Sequence, residues 1–356
     1  MINVCFLISA LDHSGGTERV TTLIANSLAN RGFNVCIMSS IGGLSPFFEL
    51  DHRINVISIF PESVSVKKNA LGLISRIRKV LIKEKIETLI VVDSINCVFT
   101  TIASIGLNIN HICWEHFNLN VNLGSSFRSL GRRMAVQWCD HIVTLTQRDK
   151  LNWCSRFKVK DMIHTINNPS TCQQQAHSPS LEMKTILCVG RLTEQKGFDL
   201  LIDSWSRIVH EFENWKIIIV GSGEDESLLQ NMIDEYGLAD SIVLKGQQND
   251  VAPFYRSASF FCMSSRFEGL PMVLLEAQSY SLPIVAFDCD TGPAEIIEDN
   301  VNGYLVDYLN VDQLANSLKK MMLLDSLSYN RMSQNALENT IHFDLESILL
   351  RWEKII

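Results

Sequence analysis

No two of the ten cysteines in this 356-residue chain form a C-x-x-C pair, and most fall in strand-like apolar runs, as at Cys5, Cys36, Cys188 and Cys262. That distribution argues against a disulfide frame and against a zinc site, and it fits reduced, buried thiols. No apolar run approaches the roughly 18–20 residues a membrane span needs. The first residues, Ile2-Asn3-Val4-Cys5-Phe6-Leu7-Ile8-Ser9, have no basic leader and run into a Gly-Gly turn, so they read as a first strand and not as a secretory signal. A dinucleotide fingerprint is also missing. Gly221-Ser222-Gly223-Glu224-Asp225-Glu226 offers G-x-G but has glutamate where the third glycine belongs, and nothing equivalent follows the first strand. No nucleic-acid module appears and the aromatics are not interleaved with the basic residues, so no nucleic-acid partner is expected.

What is present is apolar and evenly spread. The hydrophobic fraction is 46% and the mean hydropathy +0.11, values of a globular chain long enough for two cores. Short apolar runs at 4–9, 35–40, 88–92, 111–114 and 141–145, then at 185–189, 216–220, 241–244, 259–263 and 283–287, alternate with helical patterns. Continuous apolar strands with helices between them imply parallel sheets covered on both faces. The polar stretch Asn168-Pro169-Ser170-Thr171-Cys172-Gln173-Gln174-Gln175-Ala176-His177-Ser178-Pro179-Ser180 reads as a linker. Residues 1–168 carry 18 Lys and Arg against 12 Asp and Glu, a balance of +6, and leave −14 to the rest of a chain whose net charge is −8. Such a split implies different partners for the two halves, one of them anionic.

The most informative stretch is Arg266-Phe267-Glu268-Gly269-Leu270-Pro271-Met272-Val273-Leu274-Leu275-Glu276-Ala277. One glutamate lies in a glycine-bearing loop and a second eight positions on, inside a helix that Pro271 is expected to open at its first position. Glu276 interrupts an apolar run, where an ionised side chain is costly unless paired. Glu268 precedes the helix, whose free N–H groups and positive dipole end attract anions. A ligand with a phosphate at the helix end and hydroxyls on either side would use both carboxylates, and nucleotide sugars have that layout.

This segment resembles the E-x7-E signature of retaining glycosyltransferases of family 4. Gly190-Arg191-Leu192-Thr193-Glu194-Gln195-Lys196-Gly197 is similar to that family's diphosphate loop, Val220-Gly221-Ser222-Gly223 to its next strand-to-loop turn, and Gly15-Gly16-Thr17-Glu18-Arg19-Val20 to its N-terminal glycine loop. The resemblance covers most of the chain, with four landmarks in order. It implies an α/β chain of GT-B architecture: two Rossmann-like, doubly wound parallel-sheet domains facing across a cleft. Residues 1–168 would bind the acceptor, completed by a returning helix at 345–356, and 169–344 would bind the nucleotide sugar.

Each site residue has a functional and a plain reading. Arg191 and Lys196, flanked by Gly190 and Gly197, would neutralise a diphosphate leaving group, or else are two solvated loop charges. Glu276 would accept from both ribose hydroxyls, a diol matched to two carboxylate oxygens. Glu268 would hold hydroxyls of the transferred sugar, with the amides of Gly269 and Leu270 near the distal phosphate. Separately, Glu268 stabilises a helix end and Glu276 a buried salt bridge. Gly15 and Gly16 would bring backbone N–H groups to the ligand, although Thr17 could be an ordinary N-cap. His116 aligns with a family histidine near the transferred sugar, and a lone histidine is also commonly structural. Asp288-Cys289-Asp290 matches a D-x-D metal motif of another architecture, but leads into Thr291-Gly292-Pro293-Ala294-Glu295, which resembles a cleft-lining loop of family 4 enzymes, which generally need no metal. It is read as a turn, and no metal or cofactor is expected.

The basic stretch from Lys67 to Lys85 places Leu71, Ile74, Ile77 and Leu81 on one side, with Lys67, Lys68, Arg76, Lys79 and Lys83 around them. It reads as a helix lying on an anionic bilayer or as an ordinary helix with a solvated basic face. Arg128, Arg132 and Arg133 are expected to add a second basic patch. The combined expectation is a cytosolic, peripherally membrane-associated enzyme of surface polysaccharide or lipopolysaccharide assembly. It would move a hexosyl group from a nucleoside diphosphate sugar, by default UDP-linked, to a hydroxyl of a glycan or lipid-linked glycan. A sugar-nucleotide epimerase of related architecture and a non-catalytic donor-binding scaffold are the alternatives. The epimerase would need acid/base carboxylates at a sugar carbon, and the scaffold would have no use for a diphosphate clamp.

Overall fold

The computed structural model describes residues 2–356 except 63 and 65–67, so Lys67 lies outside the described residues. The chain divides into two units, Met1–Thr171 with Leu345–Ile356, and Cys172–Asp344.

In the first unit the elements run β1 (Asn3–Ile8), α1 (Gly16–Asn30), β2 (Asn34–Ile41), β3 (Asn55–Phe60), α2 (Ala70–Lys83), β4 (Thr88–Val92), α3 (Cys97–Ala103), β5 (Asn110–Trp114), α4 (Ser126–Trp138), β6 (His141–Thr144), α5 (Gln147–Phe157) and β7 (Ile163–Thr165). The strands form one sheet in the order β3-β2-β1-β4-β5-β6-β7. Every pairing is parallel, with Val4 opposite Val35 on one side of β1 and Thr88 on the other. β1, β4 and β5 are buried nearly end to end because helices cover both faces. Strand order reverses between β1 and β4. At that switch point the loops leaving the carboxyl ends diverge and open a crevice.

The second unit repeats the plan with β8 (Thr185–Val189), α6 (Phe198–Ser206), β9 (Lys216–Val220), α7 (Glu226–Glu235), β10 (Ile242–Leu244), α8 (Ala252–Arg256), β11 (Phe260–Met263), α9 (Met272–Ser279), β12 (Ile284–Phe287), α10 (Pro293–Ile296), β13 (Gly303–Val306), α11 (Val311–Met322) and α12 (Ser326–Asn339). Its parallel sheet has the order β10-β9-β8-β11-β12-β13, so its switch point falls between β8 and β11.

The last helix, α13 (Leu345–Trp352), belongs to the first unit. Arg31 forms ion pairs with Glu346 and, at 2.7 Å, Glu353. The Thr88 hydroxyl donates to the Ile356 carbonyl at 3.0 Å, and Trp352 meets Trp114 edge-on at 4.9 Å between centroids.

The basic stretch folds as an ordinary packed helix with an exposed basic face, and its apolar side departs from the expected one at Leu71. α2 buries Leu73, Ile77 and Leu81, while Leu71, expected on the apolar side, is 84% exposed. Arg76 donates to the Ile59 carbonyl at 2.8 Å and lies 4.6 Å over the Phe60 ring, which ties it to β3. Among the described residues of the stretch, Lys68, Arg76, Lys79, Lys83 and Lys85 are the exposed basic ones. Among the described residues no helix is long and apolar enough to cross a membrane.

Candidate functional site

Both signature segments leave the switch point of the second unit, one after β8 and one after β11, and the sequence binds them together. Gly197 (φ +63°) brings its Cα against the Ser264 carbonyl, and a Cβ there would stand 2.1 Å from that oxygen. The Ser264 hydroxyl donates to the Lys196 carbonyl at 3.0 Å, the Arg266 amide to the Gln195 carbonyl at 2.7 Å, and the Gln195 side chain to the Phe267 carbonyl at 3.0 Å. The Arg266 guanidinium forks onto Asp199 at 2.8 and 2.6 Å. Burial alone would raise the Asp199 carboxyl; that guanidinium holds it below its ordinary value. Charge-assisted, bidentate contacts of this kind set two loops in one geometry.

The result is a juxtaposition of the candidate groups. The aliphatic stem of Lys196 crosses Gly190, where a Cβ would meet three of its carbons at 3.4 Å. The Lys196 ammonium reaches Glu268 at 2.7 Å, and Glu268 is 7% exposed. Arg191 stands exposed five residues earlier on the same loop. Thr291 and Gly292 brace the other side. The Thr291 hydroxyl donates to the Glu268 carbonyl at 2.6 Å, and Gly292 (φ +104°) leaves no room for a Cβ beside Pro271 and the Gly269 carbonyl. The Asp288-Cys289-Asp290 turn therefore leads into the wall behind Glu268. Among the described residues no cluster of three or more His, Cys, Asp or Glu is placed to hold a metal.

Pro271 occupies the cap position of α9, one residue earlier than the proline rule places it, with φ −75° and ψ 100°. Gly269 is half-buried and Leu270 buried immediately before it. Glu276 is buried in the helix and accepts from the Tyr255 hydroxyl at 3.1 Å. Tyr255 is itself stacked between Phe261 and Tyr280, at 6.0 and 5.1 Å. Burial and then the Glu276 charge raise the Tyr255 hydroxyl well above its ordinary value, so it remains a donor. Nothing in sequence spacing marks Tyr255, which reaches the site from a separate segment, or Asp199, although it lies only two residues past Gly197; Thr291 opens the loop whose resemblance to the family is visible in the sequence. The Gly221–Gly223 turn is explained by packing. A Cβ on Gly221 would lie 1.9 Å from the Gly190 carbonyl, and one on Gly223 2.1 Å from the Leu192 carbonyl.

In the first unit Gly15 caps α1 with no side-chain partner, Gly16 opens it, and Glu18 lies back over Gly15. His116 follows β5, is 8% exposed and packs on Trp114 at 4.5 Å. Burial lowers its pKa to about 3, so the ring is neutral near pH 7. Its Nε2 has no hydrogen-bond partner among the described residues.

The expected second basic patch is a buried cluster. Arg132 pairs with Glu115 at 2.8 Å, and its remaining N–H groups go to the carbonyls of Leu119, Asn118 and Val121. Arg128 pairs with Asp93 at 2.7 Å and lies 3.7 Å from Glu115. Only Arg133 of the three faces solvent. The carboxylates at the ends of β4 and β5 draw these arginines inward, and Gly131 lets α4 approach, since a Cβ there would strike the Ser94 carbonyl at 2.1 Å. Burial, then the neighbouring Glu115 charge, raise Asp93 to about 6.

Two doubly wound units, with a cation–carboxylate pair at the switch point of the second, are the parts of a GT-B nucleotide-sugar enzyme. Residues 171–339 match the family described as Glycosyl transferases group 1, and residues 14–173 match Glycosyltransferase Family 4. An uncharacterised glycosyltransferase of Haemophilus influenzae is 37% identical over the full length of both chains. The amylovoran biosynthesis glycosyltransferase AmsD of Erwinia amylovora is 32% identical, again over 100% of each. The chain belongs to this glycosyltransferase family. Among solved structures, TarM superposes with a TM-score of 0.84 at 16% identity, covering 100% of this chain and 98% of that one. HepE from Anabaena, solved with UDP and glucose, gives 0.81 at 17% identity, covering 99% of each. The fold is GT-B.

Proposed function

We propose that the chain is a retaining hexosyltransferase that takes its sugar from a UDP-linked donor and passes it to a hydroxyl of a glycan or lipid-linked glycan in surface polysaccharide or lipopolysaccharide assembly. The observation that carries this reading is the Lys196–Glu268 pair at 2.7 Å, formed by the loop that carries exposed Arg191 and the segment that leads into α9 with buried Glu276. The relatives lend support. AmsD is named for amylovoran biosynthesis, and an Escherichia coli relative, 30% identical over 62% of this chain, is named lipopolysaccharide 1,6-galactosyltransferase.

In this reading the second unit binds the donor. Glu276, aimed by Tyr255, accepts from the ribose diol. The amides of Gly269 and Leu270 meet the distal phosphate at the start of α9. Lys196 exchanges Glu268 for the diphosphate, which frees Glu268 for hydroxyls of the transferred sugar. Arg191 and Lys196 then neutralise the departing diphosphate, and its own oxygen takes the acceptor proton in a front-face displacement. Gly15, Gly16 and neutral His116 serve the sugar and acceptor from the first unit. Its outward Lys68, Lys79 and Lys83 supply attraction to an anionic membrane surface.

A thermal-shift panel of UDP-, GDP- and ADP-sugars tests the donor assignment, because a ligand that binds the native state raises its stability by mass action. Stabilisation by UDP-sugars above the other two is the expected result. No shift with any nucleotide sugar would contradict the reading.

A further inference from the structure

The first unit has a small cavity at its own switch point, and nothing in the donor chemistry uses it. It is a half-open recess of about 160 Å³, lined by Ser9 beyond β1, Ser40 and Ile41 of β2, Ile95 beyond β4, Phe99 of α3 and Phe127 of α4. An apolar cavity of about 150 Å³ holds a benzene-sized group, so this one admits a substituent rather than a chain. Its polar equipment is sparse and specific. Ser40 is 2% exposed and its hydroxyl has no hydrogen-bond partner among the described residues. Such a buried hydroxyl costs free energy until a ligand satisfies it. The Asn96 amide, also in the lining, is already committed to the Val92 carbonyl at 2.9 Å and to the Ser9 hydroxyl at 3.2 Å. Ser9 Oγ, with two lone pairs, can accept once more.

The walls are built rigidly. The turn carrying Ile95 and Asn96 is capped by Asp93, a non-glycine residue at φ +69°. Asp93 Oδ1 accepts from both the Ile95 amide at 3.1 Å and Arg128 at 2.7 Å. That carboxylate therefore joins the Ile95 wall to the start of α4, where Phe127 stands. A strained residue held by an ion pair is a place where structure is kept for a purpose other than stability.

A bare pyranose does not suit this lining, since several hydroxyls would lose water and find few partners. A long isoprenoid does not fit the volume. One methyl, one carbonyl and one N–H do fit: the methyl against Ile41, Ile95, Phe99 and Phe127, the carbonyl accepting from Ser40, and the N–H donating to Ser9. We infer that this cavity is an acceptor subsite that recognises the acetamido group of an N-acetylated sugar. The inference rests on the reading that the first unit takes the acceptor, and it makes the acceptor a 2-acetamido sugar.

Saturation-transfer NMR on the whole protein without donor tests it, with methyl 2-acetamido-2-deoxy-α-D-glucopyranoside as probe and methyl α-D-glucopyranoside as control. The expected result is saturation concentrated on the acetyl methyl, with none on the control. Ser40→Val and Ile95→Trp, which fill the cavity, should abolish it. Ser40→Ala, which keeps the space, should weaken binding about threefold to tenfold through one lost hydrogen bond. Uniform saturation of the ring protons, equal signals from probe and control, or an undiminished signal in both filled variants would overturn the inference. So would displacement by citronellol without methyl-selective saturation, which would give the cavity to an isoprenoid. Because no nucleotide is present, failure here is separate from failure of the donor assignment, which the nucleotide panel reads.

Discussion

The pair between the loops after β8 and β11 and the cluster beneath α4 are built from the same residue types, acidic groups facing Lys or Arg, and they differ in solvent access. On the loop after β8 Lys196 keeps a side-chain exposure of 20% and Arg191 is open to water. In the cluster Glu115 is wholly buried and Arg132 has 3%, with Nε, Nη1 and Nη2 of Arg132 each donating to an oxygen. A pair that a ligand can enter is poised for exchange. One that is buried and saturated fixes a loop, here residues 116–121, and does no chemistry.

That contrast is broken most forcefully by removing one partner from the buried side. Glu115→Ala leaves Arg132 buried without its countercharge, and a loss of about 3–5 kcal/mol is expected in chemical denaturation. Destabilisation no greater than that of a surface substitution would place Glu115 outside the structural class. On the open side, Lys196→Ala and Arg191→Ala should each raise the barrier to transfer by about 2.7–4 kcal/mol, while circular dichroism shows an intact fold. Near-normal turnover in both variants would reject the clamp.

Acidity sharpens the comparison at intermediate size. An unfolded histidine takes a proton near pH 6.5, but His116 in the fold resists protonation down to about 3 and His111 down to about 4. The unfolded state therefore binds the extra protons between these values, and the histidines' contribution to stability, full above about 6.5, is lost as pH falls. Asp93, raised to about 6, acts with the opposite sign over part of that window. His116→Phe, which can still pack on Trp114, should flatten the loss of melting temperature between pH 6.5 and 4. An unchanged slope would show that His116 is protonated in the fold.

The smallest effect concerns the membrane. Replacing Lys68, Lys79 and Lys83 with Gln should weaken sedimentation with anionic vesicles by about 1 kcal/mol per residue and leave UDP binding unchanged. Salt-insensitive partitioning, equal on neutral vesicles, would remove the membrane from the account.

Legibility in the sequence follows locality. The central strands stand out as continuous apolar runs because helices cover both their faces. The three without a sequence signal are edge strands: β3, half-exposed with Asn and Ser along it; β7, three residues long; and β13, which opens on Gly303. The segment after β11 is readable because Glu268, Pro271 and Glu276 lie together on it. Arg128 and Arg132 were legible only as charge, since the carboxylates that bury them come from β4 and β5, far off in sequence. Leu71 misleads for a related reason: Leu73, not Leu71, sits in register with Ile77 and Leu81 on the face that meets the core.

Calorimetric titration of UDP against the wild type, Glu276→Gln and Glu268→Gln tests the central claim most directly. If Glu276 reads the ribose and Glu268 the transferred sugar, Glu276→Gln weakens UDP about tenfold or more through the lost charged hydrogen bonds, and Glu268→Gln leaves UDP affinity near the wild-type value while sugar transfer falls. Equal losses of UDP affinity in the two variants, or none in either, would contradict the account.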